Sequence, residues 1–195
     1  MTISSSVNLS NKNLKNKEEI ISSIAMLVTL ISFGMLFATL LLGFAIFRFT
    51  SAVWPPNGMV RPSLILPTIS TLFIFMSSYF YYNFEFQSEK IYKKINLLIA
   101  IILGLFFLIA QTLFWESLKK QGLFVSSGLY PSILYAFTWI HAFHILLGLI
   151  LLIGLYLKND FVKTTALKIK VNNIGKFWHF LGVIWLIMFV TIFVL

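Results

Sequence analysis

SILYAFTWIHAFHILLGLILLIGLYL, residues 132–157, runs for 26 residues without one Asp, Glu, Lys or Arg. As a helix it covers about 39 Å, more than the roughly 30 Å hydrocarbon core of a bilayer. A helix apolar all round has no face to offer water, so the stretch reads as a membrane span. It also holds two of the three histidines of the chain, His141 and His144.

Four more stretches are long and apolar enough to cross: 20–47, 63–84, 95–117 and, only just, 177–195. The predicted fold is therefore all-α, a polytopic bundle of five transmembrane helices forming one domain over 20–195. Residues 1–19 are polar and rich in Ser, Asn and Lys, without the apolar core and small-residue cleavage site of a signal peptide. They read as a disordered or surface-lying tail, ahead of an uncleaved anchor. Composition agrees: 59% of the 195 residues are hydrophobic and 11% charged, against about 25% charged in soluble domains.

Cysteine is absent, which removes disulfides, thiolate metal sites and cysteine nucleophiles within this chain. The net charge of +9 does not point to nucleic acid, because the basic residues alternate between connecting segments instead of forming a stripe. Lys12, Lys15, Lys17, Lys90, Lys93, Lys94, Lys158, Lys163, Lys168, Lys170 and Lys176 lie on one side, and Arg48, Arg61, Lys119 and Lys120 on the other. The positive-inside rule then puts the N-terminus in the cytoplasm and the C-terminus outside. All six acidic residues fall in the tail, in connections or at segment ends. With no mid-membrane carboxylate or lysine, an autonomous pump or ion-coupled transporter is disfavoured.

Four constellations remain. On a helix, Thr138, His141, His144 and Gly148 share one stripe. Two histidines three residues apart on one helix do not reach opposite faces of one haem iron, and His179 is the one possible partner. Interhelix or headgroup contact suits the pair better than a metal. Taken alone, Trp178, His179 and Trp185 suit an interfacial aromatic anchor. Gly104, Leu108, Gln111 and Trp115 suit helix–helix contact. Trp54, Pro55, Pro56, Asn57 and Gly58 read as a stiff outer loop, with Pro67 tolerated in the first turns of the next helix. Small and polar residues are expected to face other helices, and aromatics to face lipid.

In this order and at these spacings the segments resemble subunit III of haem–copper terminal oxidases, the cytochrome c oxidase subunit 3 family. The resemblance rests on Trp54-Pro55-Pro56-Asn57-Gly58 with Leu66 to Thr71 and Ser77-Ser78, on Leu103-Gly104 through Gln111, on Ser126-Ser127-Gly128 followed by Thr138, His141, His144 and Gly148, and on Trp178-His179-Phe180 with Trp185. Five helices resemble the short bacterial form. The chain departs from the family at Phe33, where a buried Glu usually follows the position of Ser32. It departs again at Phe114, where a Glu often follows Gln111, and at Gly182, where an Asp is common. Roles of those carboxylates in proton supply or carbodiimide sensitivity do not carry over.

The resemblance implies a multi-pass protein of the bacterial inner membrane with no catalytic centre, cofactor or metal of its own. Haems and copper would reside in subunit I and further copper in subunit II, within a respiratory complex that reduces O2 to water and translocates protons. Other implied partners are further respiratory-complex subunits and membrane phospholipids. Trp54, Pro55, Pro56, Gln111, His141, His144, Gly148, Trp178, His179 and Trp185 would be structural, lipid or subunit contacts. The alternatives are an accessory subunit of a quinol oxidase or nitric oxide reductase, or a standalone haem-binding membrane protein using the histidines.

Overall fold

A computed structural model describes residues 2–55, 59, 61–158 and 165–194. Those residues form five long helices: α1 Thr2–Thr50, α2 Ile65–Phe86, α3 Lys90–Lys120, α4 Leu129–Leu157 and α5 Thr165–Phe189. A 3₁₀ turn at Val125–Ser127 precedes α4, and a π-helical turn at Val190–Val194 ends α5. There is no strand among the described residues, and all five helices are long and apolar enough to cross a bilayer. A helix keeps every backbone hydrogen bond within itself, which the hydrocarbon core requires.

Several boundaries differ from the sequence reading, among them the start of α3, at Lys90 instead of 95. Helix α1 continues through the polar residues ahead of Ile20, its apolar membrane-length part being Lys17–Thr50. Helix α4 begins at Leu129 with Pro131 in its first turn, where proline gives up an N–H that has no intrahelical partner anyway. Helix α5 begins at Thr165, roughly three turns before residue 177. Its lysines and asparagines hide this segment from a hydropathy reading, yet they alternate with Leu167, Val171 and Ile174, which turn toward the bundle.

Lipid offers no hydrophobic reward for helix association, so close packing and interhelical hydrogen bonds carry it. Helices α2 and α3 form the most extensive pair, α3 also packs on α4, and α5 touches α1, α2 and α4. Helix α1 is the most peripheral and reaches α4 through Phe33, Phe37 and Phe44. Its exposed hydroxyls bond their own helix: Thr29, Ser32 and Thr39 donate to the carbonyls of Ala25, Val28 and Met35 at 2.9, 2.9 and 2.7 Å. The largest fully buried side chains are mostly aromatic, among them Trp178, Trp185, Phe37, Phe107 and Phe137. The expectation that aromatics face lipid is thus corrected. Glycine, alanine and serine on facing helices leave room for rings inside, and the outer surface is mainly branched aliphatic.

Candidate functional site

The signature residues gather in a polar and aromatic seam between α2, α3, α4 and α5. At its centre lies the Trp178 indole of α5, fully buried. A Cβ added at Gly148 of α4 falls 2.8 Å from Trp178 Cε3 and Cζ3, and one at Gly104 of α3 falls 3.0 Å from Cη2. The two glycines thus flank the ring. The Trp178 Nε1–H donates to Ser77 Oγ at 3.2 Å, and that hydroxyl donates to the Ala100 carbonyl at 2.6 Å. One serine therefore ties α2, α3 and α5 together.

A second layer centres on His141, which has no exposed surface. Its ring stacks on Trp185, centroids 5.4 Å apart at 29°, and Phe37 and Phe107 meet it edge-on at 5.9 Å. Neither ring nitrogen has a hydrogen-bond partner. Trp185 Nε1–H donates to Thr71 Oγ1 at 2.9 Å. Gln111 Nε2–H donates to Ser70 Oγ at 3.1 Å, while its Oε1 is buried without a partner. The interfacial-anchor reading fails for both Trp178 and Trp185. An indole N–H in an apolar interior needs an acceptor, and two hydroxyls of α2 provide them. Trp139, largely exposed, is the tryptophan that faces outward, stacked on Trp115 at 4.8 Å. Trp115 in turn donates to Thr138 Oγ1 at 2.9 Å, joining α3 to α4.

His144 uses its Nδ1–H on the Ile140 carbonyl of its own helix at 2.7 Å, which leaves Nε2 as the second nitrogen of that tautomer. The ring lies against α1: Phe33 meets it edge-on at 4.5 Å and Phe37 at 5.6 Å. Phe33 also leans on Phe177 of α5 at 5.8 Å. At the position where the resemblance implies a carboxylate, the chain sets the phenyl ring of Phe33 beside this histidine. His179 shares a 2.5 Å hydrogen bond with Ser78 and faces Tyr81 edge-on. The Cβ of any residue replacing Gly182 would lie 3.9 Å from the same Ser78 hydroxyl.

At the opposite end of α1, Trp54 packs edge-on to Phe44, Phe47 and Tyr130, with the Arg48 guanidinium 5.0 Å above its ring. Pro55 is half-buried beside it. Pro56, Asn57 and Gly58 lie outside the described residues. Ser127 closes the turn before α4, its Oγ accepting from Phe124 N–H at 3.0 Å and donating to the Gly122 carbonyl at 3.1 Å.

The structure therefore brings Gly148 to Trp178 and His141 to Trp185, but sets Gln111, His144 and His179 against three different partners. Among the described residues no group of three or more His, Asp or Glu converges as a metal-ligand set. The sequence reading assigned no role to Ser70, Thr71 and Ser77, which accept the amide and both buried indole N–H groups. Their signal was present: Ser70 and Ser77 stand one heptad apart on α2, the spacing of a buried face.

The family described as cytochrome c oxidase subunit III matches residues 11–195. The chain is 23% identical over 175 residues to cytochrome c oxidase subunit 3 of Synechocystis sp., covering 85% of this chain and 72% of that protein. To cytochrome c oxidase subunit 3 of Thermostichus vulcanus it is 26% identical over 181 residues, covering 88% and 86%. To the Schizophyllum commune protein of the same name it is 26% identical over 151 residues, covering 73% of this chain but only 54% of that protein.

Proposed function

The chain belongs to the cytochrome c oxidase subunit III family, and from that premise we propose that it is a non-redox subunit of a bacterial respiratory haem–copper oxidase. The complex reduces O2 to water and translocates protons, with haems and copper in subunit I and further copper in subunit II. This chain covers a face of the catalytic subunit, binds phospholipids and shapes access of O2 and protons. It sits in the inner membrane with a polar cytoplasmic tail over residues 1–19, the N-terminus in and the C-terminus out, since the lysine-rich connections mark the cytoplasmic side.

The observation that carries the supporting role is the use of the signature side chains between helices. Trp178 and Trp185 donate to hydroxyls of α2, His179 bonds Ser78, and His141 is enclosed by rings. In lipid such contacts hold a bundle together. None of them leaves a side chain poised toward an open reaction site.

The test is purification of the tagged chain in mild detergent. A haem-bearing, very hydrophobic, histidine-rich partner is expected to copurify, with O2 uptake from reduced cytochrome c. Turnover with quinol or nitric oxide alone assigns the chain to one of those other complexes. Recovery as a lone oligomer, or a stoichiometric Soret band on the isolated chain that His144→Leu abolishes, overturns the proposal.

A further inference from the structure

The part of α5 that hydropathy missed builds one wall of a cavity of about 790 Å³ at the lysine-rich end of the bundle. The opposite wall is the end of α2 and the start of α3. Lys90, Lys93 and Lys168 line it together with a single carboxylate, Glu85, and Phe84 and Val171 supply apolar surface. Lys90 and Lys168 are exposed, whereas Lys93 is half-buried, its Nζ 5.9 Å above the Phe84 ring. Glu85 already lies in the field of Lys176 and Lys93 and over Gly175, whose added Cβ would sit 3.3 Å from Oε2. The cavity thus keeps an excess of positive charge at its mouth.

We propose that this cavity binds the phosphate of an anionic phospholipid headgroup, with an acyl chain running along the Phe84 and Val171 side. Three features select a lipid. First, the site falls where α2 and α5 end as membrane-length helices, at headgroup depth. Second, cations stand on the outside and apolar side chains within, the polarity order of a phospholipid. Third, lysine is a point charge suited to a phosphate monoester or diester, and basic pockets between helices at an interface favour anionic headgroups. The site gives a location to the lipid-binding part of the proposed function, yet it belongs to this chain alone and does not depend on which complex the chain joins.

The experiment uses the full complex, delipidated in mild detergent and titrated with photoreactive dioleoyl phosphatidylglycerol. Crosslinks are expected on α2–α3 residues 84–93 and α5 residues 167–172. The exposed pair Lys90→Gln and Lys168→Gln is expected to weaken labelling on the order of tenfold, while Lys90→Arg with Lys168→Arg retains it, separating charge from folding. Equal labelling of the glutamine variant, or equal labelling by phosphatidylcholine, overturns the site. Displacement of the probe by millimolar inorganic phosphate would assign it to a soluble anion instead. Crosslinking to an acidic segment of a partner subunit would make it a protein contact and also overturn the lipid. Labelling of the chain does not depend on whether a haem-bearing partner copurifies, so the two proposals fail separately.

Discussion

Gly148→Leu puts bulk where the structure has least room. Even the first added carbon, the Cβ, falls 2.8 Å from two atoms of the Trp178 ring, 0.6 Å short of the 3.4 Å at which ordinary contact begins. On its far side the ring faces α3 at Gly104, where an added Cβ would fall 3.0 Å from Trp178 Cη2 and 2.7 Å from the Leu149 side chain, so the space there is narrow too. Relief requires α4 to move off α5, or the ring to tilt and stretch its 3.2 Å bond to Ser77. Overpacking costs about 1–3 kcal/mol and loss of the hydrogen bond about 1 kcal/mol more, offset by up to about 1 kcal/mol from replacing a helical glycine. The net for Gly148→Ala is about 1–3 kcal/mol, and Leu adds three more carbons to the same contact. A protein of this size loses about 2–4 °C in Tm per kcal/mol, so Gly148→Leu should lower Tm by roughly 10 °C and reduce the yield of assembled complex. The assay is size-exclusion of the tagged complex in mild detergent with a thermal ramp, His144→Leu alongside. His144 bonds only its own helix and a leucine fills similar volume, so that variant should cost under about 1.5 kcal/mol. Equal yields for wild type and Gly148→Leu, or greater damage from His144→Leu, would refute the wedge argument.

Other outcomes follow from the same seam. His141→Phe should be neutral or stabilising in a thermal ramp, because it removes two buried nitrogens without partners and keeps a ring on Trp185. A drop of more than about 2 kcal/mol would mean those nitrogens have partners in the assembled complex. Ser77→Ala should cost about 1–3 kcal/mol, since it leaves the buried Trp178 N–H without an acceptor. A denaturation midpoint equal to wild type would contradict this. His144→Leu should leave the haem absorbance of the assembled complex unchanged, and loss of a haem band with assembly intact would refute the supporting role. Phe33→Glu should make the bundle interior reactive to a hydrophobic carbodiimide, with mass spectrometry placing the adduct on α1. Labelling of α1 in the wild-type chain at equal extent would sink that expectation.

The contact between Phe33 and His144 puts a phenyl ring at the position where the family resemblance implies a carboxylate. A carboxylate in that position needs partners for its oxygens, and a histidine is one. A phenyl ring asks for none, and it meets the imidazole in a T-shaped pair. His144 then satisfies Nδ1 on its own helix. On α3, Phe114 is likewise a buried ring, packed in a T-shape with Phe193 at 5.5 Å. Neither ring brings charge into the membrane interior, where an unpaired charge is costly.

The number and chain order of the helices were legible in the sequence, because a bilayer imposes about 20 apolar residues per crossing and punishes every charge within it. The stripe of Thr138, His141, His144 and Gly148 was legible too, since helical periodicity puts those four on one side whatever lies opposite. What lies opposite was not. That Trp178 wedges between Gly104 and Gly148 depends on the relative rotation and depth of three helices, and lipid leaves no polarity contrast in the sequence to signal it. The same holds for the α2 hydroxyls that accept the indole N–H groups, since a serine in a membrane helix is equally content bonding its own backbone, as Ser32 does. Only packing in three dimensions decides which hydroxyl turns to a neighbour, and only it shows that the contacts expected of His141 and His144 in WIHAFHILLG, residues 139–148, are made with aromatic rings.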